Sequence, residues 1–251
     1  RARTGRAPDK VLITHAGGGN VTGTARGVLK AGATDTEIVG ASVDLSGLHM
    51  ASDHDFNRKS FTTGHTGFGI PFATWPDRAD VPRNAARPLR YLDRYVLVKQ
   101  GEVFYITEAL AVLEGLERGP AGNTSLTAAF TVAQGMDQDQ TIVVQETEYT
   151  GAGKHPMPQL SFARSNGIEL LFGNPDDEKP GTNIIFPKDP SFIKVRDFDL
   201  DKARHSYIRN CVTNNKLESV SPADLKFLAE DTKSSEDYVR GVLRELGTEV
   251  K

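Results

Sequence analysis

Residues 11–44, VLITHAGGGNVTGTARGVLKAGATDTEIVGASVD, decide the fold of this protein. The stretch begins with a short apolar run, residues 11–14, which predicts a buried strand, and continues into a turn of three glycines. Apolar residues at helical spacing then predict a helix over residues 21–31, and the run 37–43 predicts a second strand. Strand, helix and strand in this order form a βαβ unit, which indicates a parallel sheet.

Further elements follow at shorter range. The sequence predicts a strand over residues 95–98 and an amphipathic helix over residues 103–116. A glycine–proline break precedes a helix of small residues, 125–134, and another buried strand is predicted over residues 141–144. The apolar residues of the helix 103–116 that are available for a core face are Ile106, Leu110, Leu113 and Leu116.

Two stretches have many glycines or prolines and little periodicity. Residues 45–90 form a long connection, which in a compact domain is usually functional, and residues 156–198 are predicted to be rich in loops. Short helices are then predicted over residues 201–210, 222–230 and 236–246, with Ser221 and Ser235 as N-caps of the last two. We therefore divide the chain into an α/β domain, residues 1–160, and an extension with a C-terminal helical hairpin, residues 161–251.

Composition and charge exclude several classes of protein. The chain has 251 residues, of which 38% are hydrophobic and 25% charged, as in globular proteins. Its 30 Lys and Arg against 33 Asp and Glu give a net charge of −3, which argues against electrostatic binding of nucleic acid. No apolar run approaches the roughly 18 residues that span a bilayer. The single Cys211 fits a reducing compartment, so we expect a cytoplasmic protein.

The strongest local motif is AGGGNVTG, residues 16–23. Glycines after a strand let backbone N–H groups converge, and the following helix N-terminus adds positive potential, so the pattern predicts a phosphate site. A dinucleotide fold would need G-x-G-x-x-G and an acidic residue after the second strand, for which Asp44 is the candidate. Thr22 stands where the third glycine belongs, which disfavours a nicotinamide cofactor. A tight turn without a ligand is the remaining alternative.

The glycine turn resembles the phosphate-binding turn of pyridoxal-phosphate (PLP) enzymes of the tryptophan-synthase-β type, or fold type II. Residues 119–133 resemble the glycine break and small-residue helix of that family, and residues 141–155, TIVVQETEYTGAGKH, resemble its last strand and glycine turn. The order and spacing agree over about residues 10–160. The resemblance implies PLP as cofactor and an α/β fold with a mostly parallel sheet and flanking helices, here without its N-terminal half, plus a C-terminal helical appendage.

The resemblance also assigns cofactor-binding residues. Thr150 is the best match for the hydroxyl group beside the pyridine nitrogen, and the alternative for Thr150 is a turn hydroxyl that bonds its own backbone. A neutral hydroxyl partner does not favour a protonated ring, which makes the ring a milder electron sink. Other candidates for the ring nitrogen are Asn123, Thr124 and Ser125. The residues that would hold the phosphate are Gly17, Gly18, Gly19, Asn20 and Thr22.

No lysine matches the Schiff-base motif of the family. In the family this lysine lies in the half that precedes the phosphate turn, whereas only ten residues precede Val11 here. Lys10, Lys59 and Lys154 do not match the motif, so the catalytic residues stay unassigned. The chain also begins with a basic stretch that lacks both an initiator Met and the apolar segment of a secretory signal. We expect it to be a fragment, or a second chain to supply the missing half.

A closer resemblance includes the excursion at residues 58–65, RKSFTTGH, and the sequence FPKDP at residues 186–190. These stretches are similar to the β subunits of 2-amino-4-oxopentanoate thiolases, which are PLP-dependent enzymes of ornithine degradation. The resemblance implies that coenzyme A cleaves 2-amino-4-oxopentanoate to acetyl-CoA and alanine, that the chain is oligomeric and that an α subunit is its partner.

Other functions remain open at this point. One alternative is a β-replacement or β-elimination enzyme resembling threonine synthase or cysteine synthase, and another is a non-catalytic interaction module whose helical hairpin docks a partner. The sequence HMASDHD at residues 49–55 matches no usual set of metal ligands. Residues 221–247 have the spacing of a helix-turn-helix, but the second helix lacks a basic face for DNA. We expect this hairpin to pack on its own chain or on a partner subunit.

Overall fold

The computed structural model describes residues 5–15, 18–44, 86–146, 156–179 and 182–251. Its strands are β1 (Lys10–Thr14), β2 (Glu37–Val43), β3 (Arg94–Val98), β4 (Ile142–Gln145), β5 (Glu169–Gly173), β6 (Asn183–Pro187), β7 (Arg196–Asp197), β8 (Ser219–Val220) and β9 (Glu249–Val250). Its α-helices are α1 (Gly19–Lys30), α2 (Gln100–Glu114), α3 (Asn123–Gln134), α4 (Pro156–Ser165), α5 (Leu200–Asn215), α6 (Pro222–Thr232) and α7 (Glu236–Glu245).

The central sheet has the strand order β4-β1-β2-β3-β7. The first four strands are parallel, and β7 pairs antiparallel with β3. Helix α1 connects β1 and β2, so the βαβ unit predicted from residues 11–44 is confirmed. The predicted fold class, a mostly parallel sheet with flanking helices, is confirmed as well.

Alternating side chains of the strands form two apolar layers. Val11 and Ile13 of β1 face α1, while Leu12 between them faces α3. The layer beside α1 also contains residues of α5, α6 and α7, and the opposite layer contains residues of α2 and α3. Both faces of a parallel sheet are normally covered in this way, which accounts for the nearly continuous apolar runs in β1 and β2.

The C-terminal helices belong to the layer beside α1. Leu225 of α6 and Leu243 of α7 are fully buried in that layer with Val11 and Ile13. The predicted N-caps are confirmed: the Ser221 hydroxyl accepts the backbone N–H of Asp224 at 3.2 Å, and the Ser235 hydroxyl accepts that of Tyr238 at 3.1 Å. The hairpin therefore packs on its own chain, as expected, and its large apolar residues other than Phe227 pack in or against the core.

A smaller unit of α4 and the parallel pair β5–β6 packs against α2. Phe104 of α2 is fully buried there with Ile184 of β6 and Leu160 of α4. These elements lie within the stretch 156–198 that was predicted to be rich in loops. The prolines do not interrupt them, because Pro156 begins α4 and Pro187 ends β6. The division of the chain at residue 160 stays a prediction.

Two of the four core positions expected in α2 are wrong. The Leu113 side chain is 77% exposed and that of Leu116, just beyond the helix, is 47% exposed. Only the first half of α2 reaches the core, where Val103, Phe104 and Ile106 are buried. Within the described parts of the chain, no helix is both long and apolar enough to cross a membrane.

Candidate cofactor site

The candidate site lies at the carboxyl-terminal edge of the parallel strands. Helix α1 begins there after β1, and α3 begins beside the ends of β1 and β4. Crevices at this edge of an open α/β sheet are where such folds bind ligands. Helix N-termini at such a crevice present unpaired backbone N–H groups and positive potential.

The N-terminus of α1 provides the first half of the site. Gly18 precedes the helix with a φ of 87°, a left-handed conformation that favours glycine, and its carbonyl accepts the N–H of Thr22 at 3.1 Å. No side chain of the described residues caps this helix, so its first N–H groups are available to an anion. The Thr22 hydroxyl oxygen is buried and has no hydrogen-bond partner among the described residues. Gly19 and Asn20 are exposed.

The N-terminus of α3 provides the second half. Asn123, Thr124 and Ser125 are all fully buried. The Ser125 backbone N–H donates to the Thr14 hydroxyl at 3.0 Å, and the Ser125 hydroxyl lies 3.1 Å from the carbonyl oxygen of Gln145. Ser125 therefore joins α3 to the ends of β1 and β4, which fixes the start of the helix against the sheet.

Several buried polar atoms at this edge lack partners within the described residues. Besides Thr22, they are the Asn123 side-chain carbonyl oxygen, the Thr124 hydroxyl and both carboxylate oxygens of Glu146, which follows β4. Unsatisfied buried polar groups are costly and uncommon in native proteins, and a bound ligand is one of their ordinary explanations. Their grouping around two helix N-termini indicates a site for a polar ligand.

A buried ion pair occupies the ends of β2 and β3. The Lys99 ammonium lies 2.7 Å from the Asp44 carboxylate, and both side chains are about nine-tenths buried. Asp44 was the candidate for the ribose-binding acid of a dinucleotide fold. Its carboxylate instead pairs with Lys99, which is a further argument against that cofactor.

Buried carboxylates hold α2 beside this pair. Glu102 is fully buried, accepts the Lys99 backbone N–H at 2.7 Å, and pairs with both terminal nitrogens of Arg196 at 3.0 and 3.1 Å. Burial raises the pKa of Glu102, and Arg196 opposes that rise. Glu178 accepts the backbone N–H of Ile185 at 3.3 Å, and burial raises the pKa of its carboxyl group to about 7. These contacts lock the N-terminus of α2 to β6 and β7.

Glu178→Gln tests the raised pKa of this carboxyl group. The folded protein holds the Glu178 proton up to about pH 7, whereas an unfolded glutamic acid loses it near pH 4.5. Stability from this group is therefore present below pH 4.5 and lost as the pH rises to 7. We expect Glu178→Gln to raise the free energy of unfolding by about 1–3 kcal/mol at pH 8 and little at pH 5, measured by urea titration. The exposed Glu169→Gln is the control, and an equal gain at both pH values would contradict the assignment.

Comparison with known proteins bears on what the site binds. Residues 1–148 match the family described as pyridoxal-phosphate dependent enzymes. The chain belongs to this family. Its match covers more than half of the chain, including the four parallel strands of the central sheet, α1 and α3, and the implied cofactor class is thereby confirmed.

Two relatives of this PLP-dependent protein are similar over nearly its whole length. One, from an unknown prokaryotic organism, is 64% identical over 247 residues, and the other, from Acetoanaerobium sticklandii, is 62% identical over 246 residues. Each match covers 98% of this chain, and both relatives are named 2-amino-4-ketopentanoate thiolase beta subunit. The resemblance found in the sequence is confirmed. The chain spans about half the length (52%) of these curated relatives.

The site fits PLP, the cofactor of this PLP-dependent family. The uncapped start of α1 suits a phosphate, because backbone N–H groups and the helix dipole favour an anion. The unpartnered oxygens of Asn123, Thr124 and Glu146 suit the polar groups of a pyridine ring. Gly17, Thr150 and Lys154 lie outside the described residues, as do Lys59, the RKSFTTGH stretch and residues 49–55. In the described ranges, no group of three His, Cys, Asp or Glu residues could hold a metal ion.

Sequence reasoning missed three residues at the site of this PLP-dependent protein. Thr14 could have been noticed, because it is a polar residue that ends an apolar strand immediately before the glycine turn. Glu146 is the second polar residue after the apolar run 142–144, which is a weaker signal. Lys99 could not have been predicted as a site residue, because no sequence pattern indicates its ion pair with the distant Asp44. The structure does bring Asn123 and Ser125 to the same edge of the sheet as Gly18 and Thr22, as the resemblance implied.

Proposed function

We propose that the protein is the β component of a PLP-dependent thiolase that cleaves 2-amino-4-oxopentanoate with coenzyme A to give acetyl-CoA and alanine. The observation that carries the proposal is the 62–64% identity to two proteins of that name over 98% of the chain. Family membership and the unpartnered polar atoms at the carboxyl-terminal edge support it. An α subunit is the partner, and we expect the enzyme to act in the cytoplasm.

The net reaction is an acyl transfer from carbon to sulfur. The bond between C3 and C4 of the substrate breaks, the thiol sulfur of coenzyme A bonds to the acetyl carbon, and the thiol proton is balanced by a proton gained at C3. C3 thereby becomes the methyl group of alanine. Bound PLP would supply an electron sink next to the carbon that carries the amino group.

In that reaction, the residues of this chain bind and orient the cofactor. Gly17, Gly18, Gly19, Asn20 and Thr22 would hold the phosphate at the start of α1, where the charge of the anion is favoured. Asn123, Ser125 and Thr150 are assigned to the ring. The hydrogen bonds of Ser125 to Thr14 and Gln145 fix that end of the site to two strands, and positioning of this kind is the protein's main contribution to cofactor chemistry.

Cofactor titration and product analysis test the proposal. We expect the protein to bind PLP with a change in visible absorbance, and to form acetyl-CoA from 2-amino-4-oxopentanoate and coenzyme A when it is assembled with its α subunit. Absence of PLP binding would refute the proposal. Formation of a β-replacement product instead of acetyl-CoA would assign the protein to the threonine synthase type of chemistry.

Thr22→Val tests the phosphate end of the site. The valine removes a buried hydroxyl that has no partner in the described residues, so we expect the free energy of unfolding without PLP to stay the same or rise slightly. The affinity for PLP should fall at least about tenfold, because a hydrogen bond to a charged group is worth about 1.5–3 kcal/mol. Thr36→Val is the matched control: its hydroxyl donates to the Pro8 carbonyl at the opposite edge, so it should cost stability and leave PLP affinity unchanged.

A further inference from the structure

Glu146 is an acidic residue, half-buried as a whole, at the carboxyl-terminal edge of the sheet. It follows the last residue of β4, and both of its carboxylate oxygens are buried. Neither oxygen has a hydrogen-bond partner within the described part of the chain. Leaving a buried carboxyl group without hydrogen-bond partners is unfavourable. A carboxyl group in this position therefore indicates that a ligand provides a hydrogen-bond partner.

The pattern of β4 shows which face of the sheet Glu146 shares. Ile142 and Val144 pack in the apolar layer that contains α3, whereas the side chain of Gln145 accepts a hydrogen bond from Thr24 of α1 at 3.0 Å. Because successive side chains of a strand alternate, Glu146 lies on the α3 side. Ile13 pairs with Gln145 in the register of β1 and β4, so the next positions, Thr14 and Glu146, are neighbours.

The surroundings of Glu146 are therefore the N-terminus of α3. Thr14 is hydrogen-bonded to Ser125, and the unpartnered oxygens of Asn123 and Thr124 belong to the same turn of helix. Burial raises the pKa of Glu146 to about 7, and the charge of Arg118, in the segment before α3, opposes that rise. At neutral pH the carboxyl group can therefore either donate or accept a hydrogen bond.

The charge of Glu146 determines whether it can contact the phosphate end or the ring end of a bound cofactor. A carboxylate beside the phosphate would repel it. The proposed phosphate site also lies at the start of α1, on the face of the sheet opposite to Glu146. The heterocyclic ring carries the group that complements a carboxyl group, since a basic ring nitrogen can share a proton with it.

We propose that Glu146 contacts the ring nitrogen of bound PLP and determines selectivity for a heteroaromatic ring that contains that nitrogen. The inference rests on the proposed PLP site and assigns the single hydrogen-bonding position of the ring nitrogen to Glu146 in place of the Thr150 hydroxyl. Glu146 is thus a specificity-determining residue for the ring end of the cofactor.

The test compares two ligands in two proteins. The ligands are PLP and its analogue in which a C–H group replaces the ring nitrogen, and the proteins are the wild type and Glu146→Leu. We expect the wild type to prefer PLP at least about tenfold, because the unpartnered carboxyl group gains its partner only from the nitrogen. In Glu146→Leu the preference should vanish through weaker binding of PLP alone, while resistance to unfolding without cofactor stays equal or increases.

Controls separate this role from a structural one. Glu178→Gln alters another buried carboxyl group, which contacts β6, and should leave the preference for PLP intact. If Glu146→Leu does not fold, Glu146→Gln takes its place, with a reduced preference expected. An unchanged preference, or an equal loss of affinity for both ligands, overturns the inference. A wild type that binds PLP without preferring it to the analogue overturns the inference alone, whereas a wild type that binds neither ligand overturns the proposed function too.

Discussion

Gly101→Ala should destabilise the protein by at least about 3 kcal/mol, which is more than most single substitutions cost. A Cβ atom at Gly101 would lie 1.8 Å from the backbone carbonyl oxygen of Ile185 and 2.4 Å from its carbonyl carbon. The obstacle is backbone, so no change of rotamer relieves it. Either α2 or β6 must move, and the buried contacts of Glu102 and Glu178 with that region would be lost with the movement.

Denaturant unfolding of Gly101→Ala measures this effect. Gly241→Ala in α7 is the matched control, since a Cβ there meets nothing within 4 Å, and it should stabilise the protein by about 0.5–1 kcal/mol. Adding Ile185→Ala should not rescue Gly101→Ala, because the clash involves the carbonyl group and not the side chain. A near-neutral Gly101→Ala would show that α2 and β6 do not approach so closely.

Arg196→Met should cost about 3–5 kcal/mol at pH 7.5, because it leaves the fully buried Glu102 carboxylate without its counter-ion. Burial already raises the pKa of Glu102, and loss of Arg196 must raise it further. A raised pKa in the folded state means that protonation favours folding. The cost of Arg196→Met should therefore be largest above neutral pH and should shrink towards pH 5.

Thermal or urea unfolding at both pH values checks this prediction. Arg94→Met is the matched control, because Arg94 also makes two hydrogen bonds to one carboxylate, that of Asp197, but the pair is exposed. Exposed pairs contribute up to about 1 kcal/mol, so the control should change stability little. An Arg196→Met variant as stable as the control, or equally destabilised at both pH values, would refute the buried-pair explanation.

The sequence predicted the elements whose residues carry a local pattern. The run from Val11 to Thr14, the glycines before α1 and the caps Ser221 and Ser235 each determine structure within a few residues of themselves. Contacts between distant segments were not predictable in this way. Gly101 must be a glycine because the backbone of Ile185, which is 84 residues further along the chain, leaves no room for a Cβ atom.

The candidate site shows the same division. Gly18 and Thr22 were found from the motif that contains them, and their placement at the carboxyl-terminal edge follows from the βαβ unit. Glu146 was not predicted, because its position at the site depends on the register of two strands that are distant in sequence. Only the pairing of β1 with β4 places it beside Thr14. The apolar periodicity of residues 103–116 was misleading at Leu113 and Leu116, since periodicity shows which residues share a face but not whether another element covers it.

The apolar layer beside α1 joins residues that are far apart in the sequence, since Val11 and Ile13 share it with Val239 and Leu243. During translation these residues are synthesised far apart in time. Until α5, α6 and α7 have been synthesised, one face of the nascent sheet stays open to solvent. Folding dominated by such distant contacts is slow and leaves apolar surface exposed to aggregation. Helices α5, α6 and α7 therefore determine when this face of the sheet is covered during synthesis.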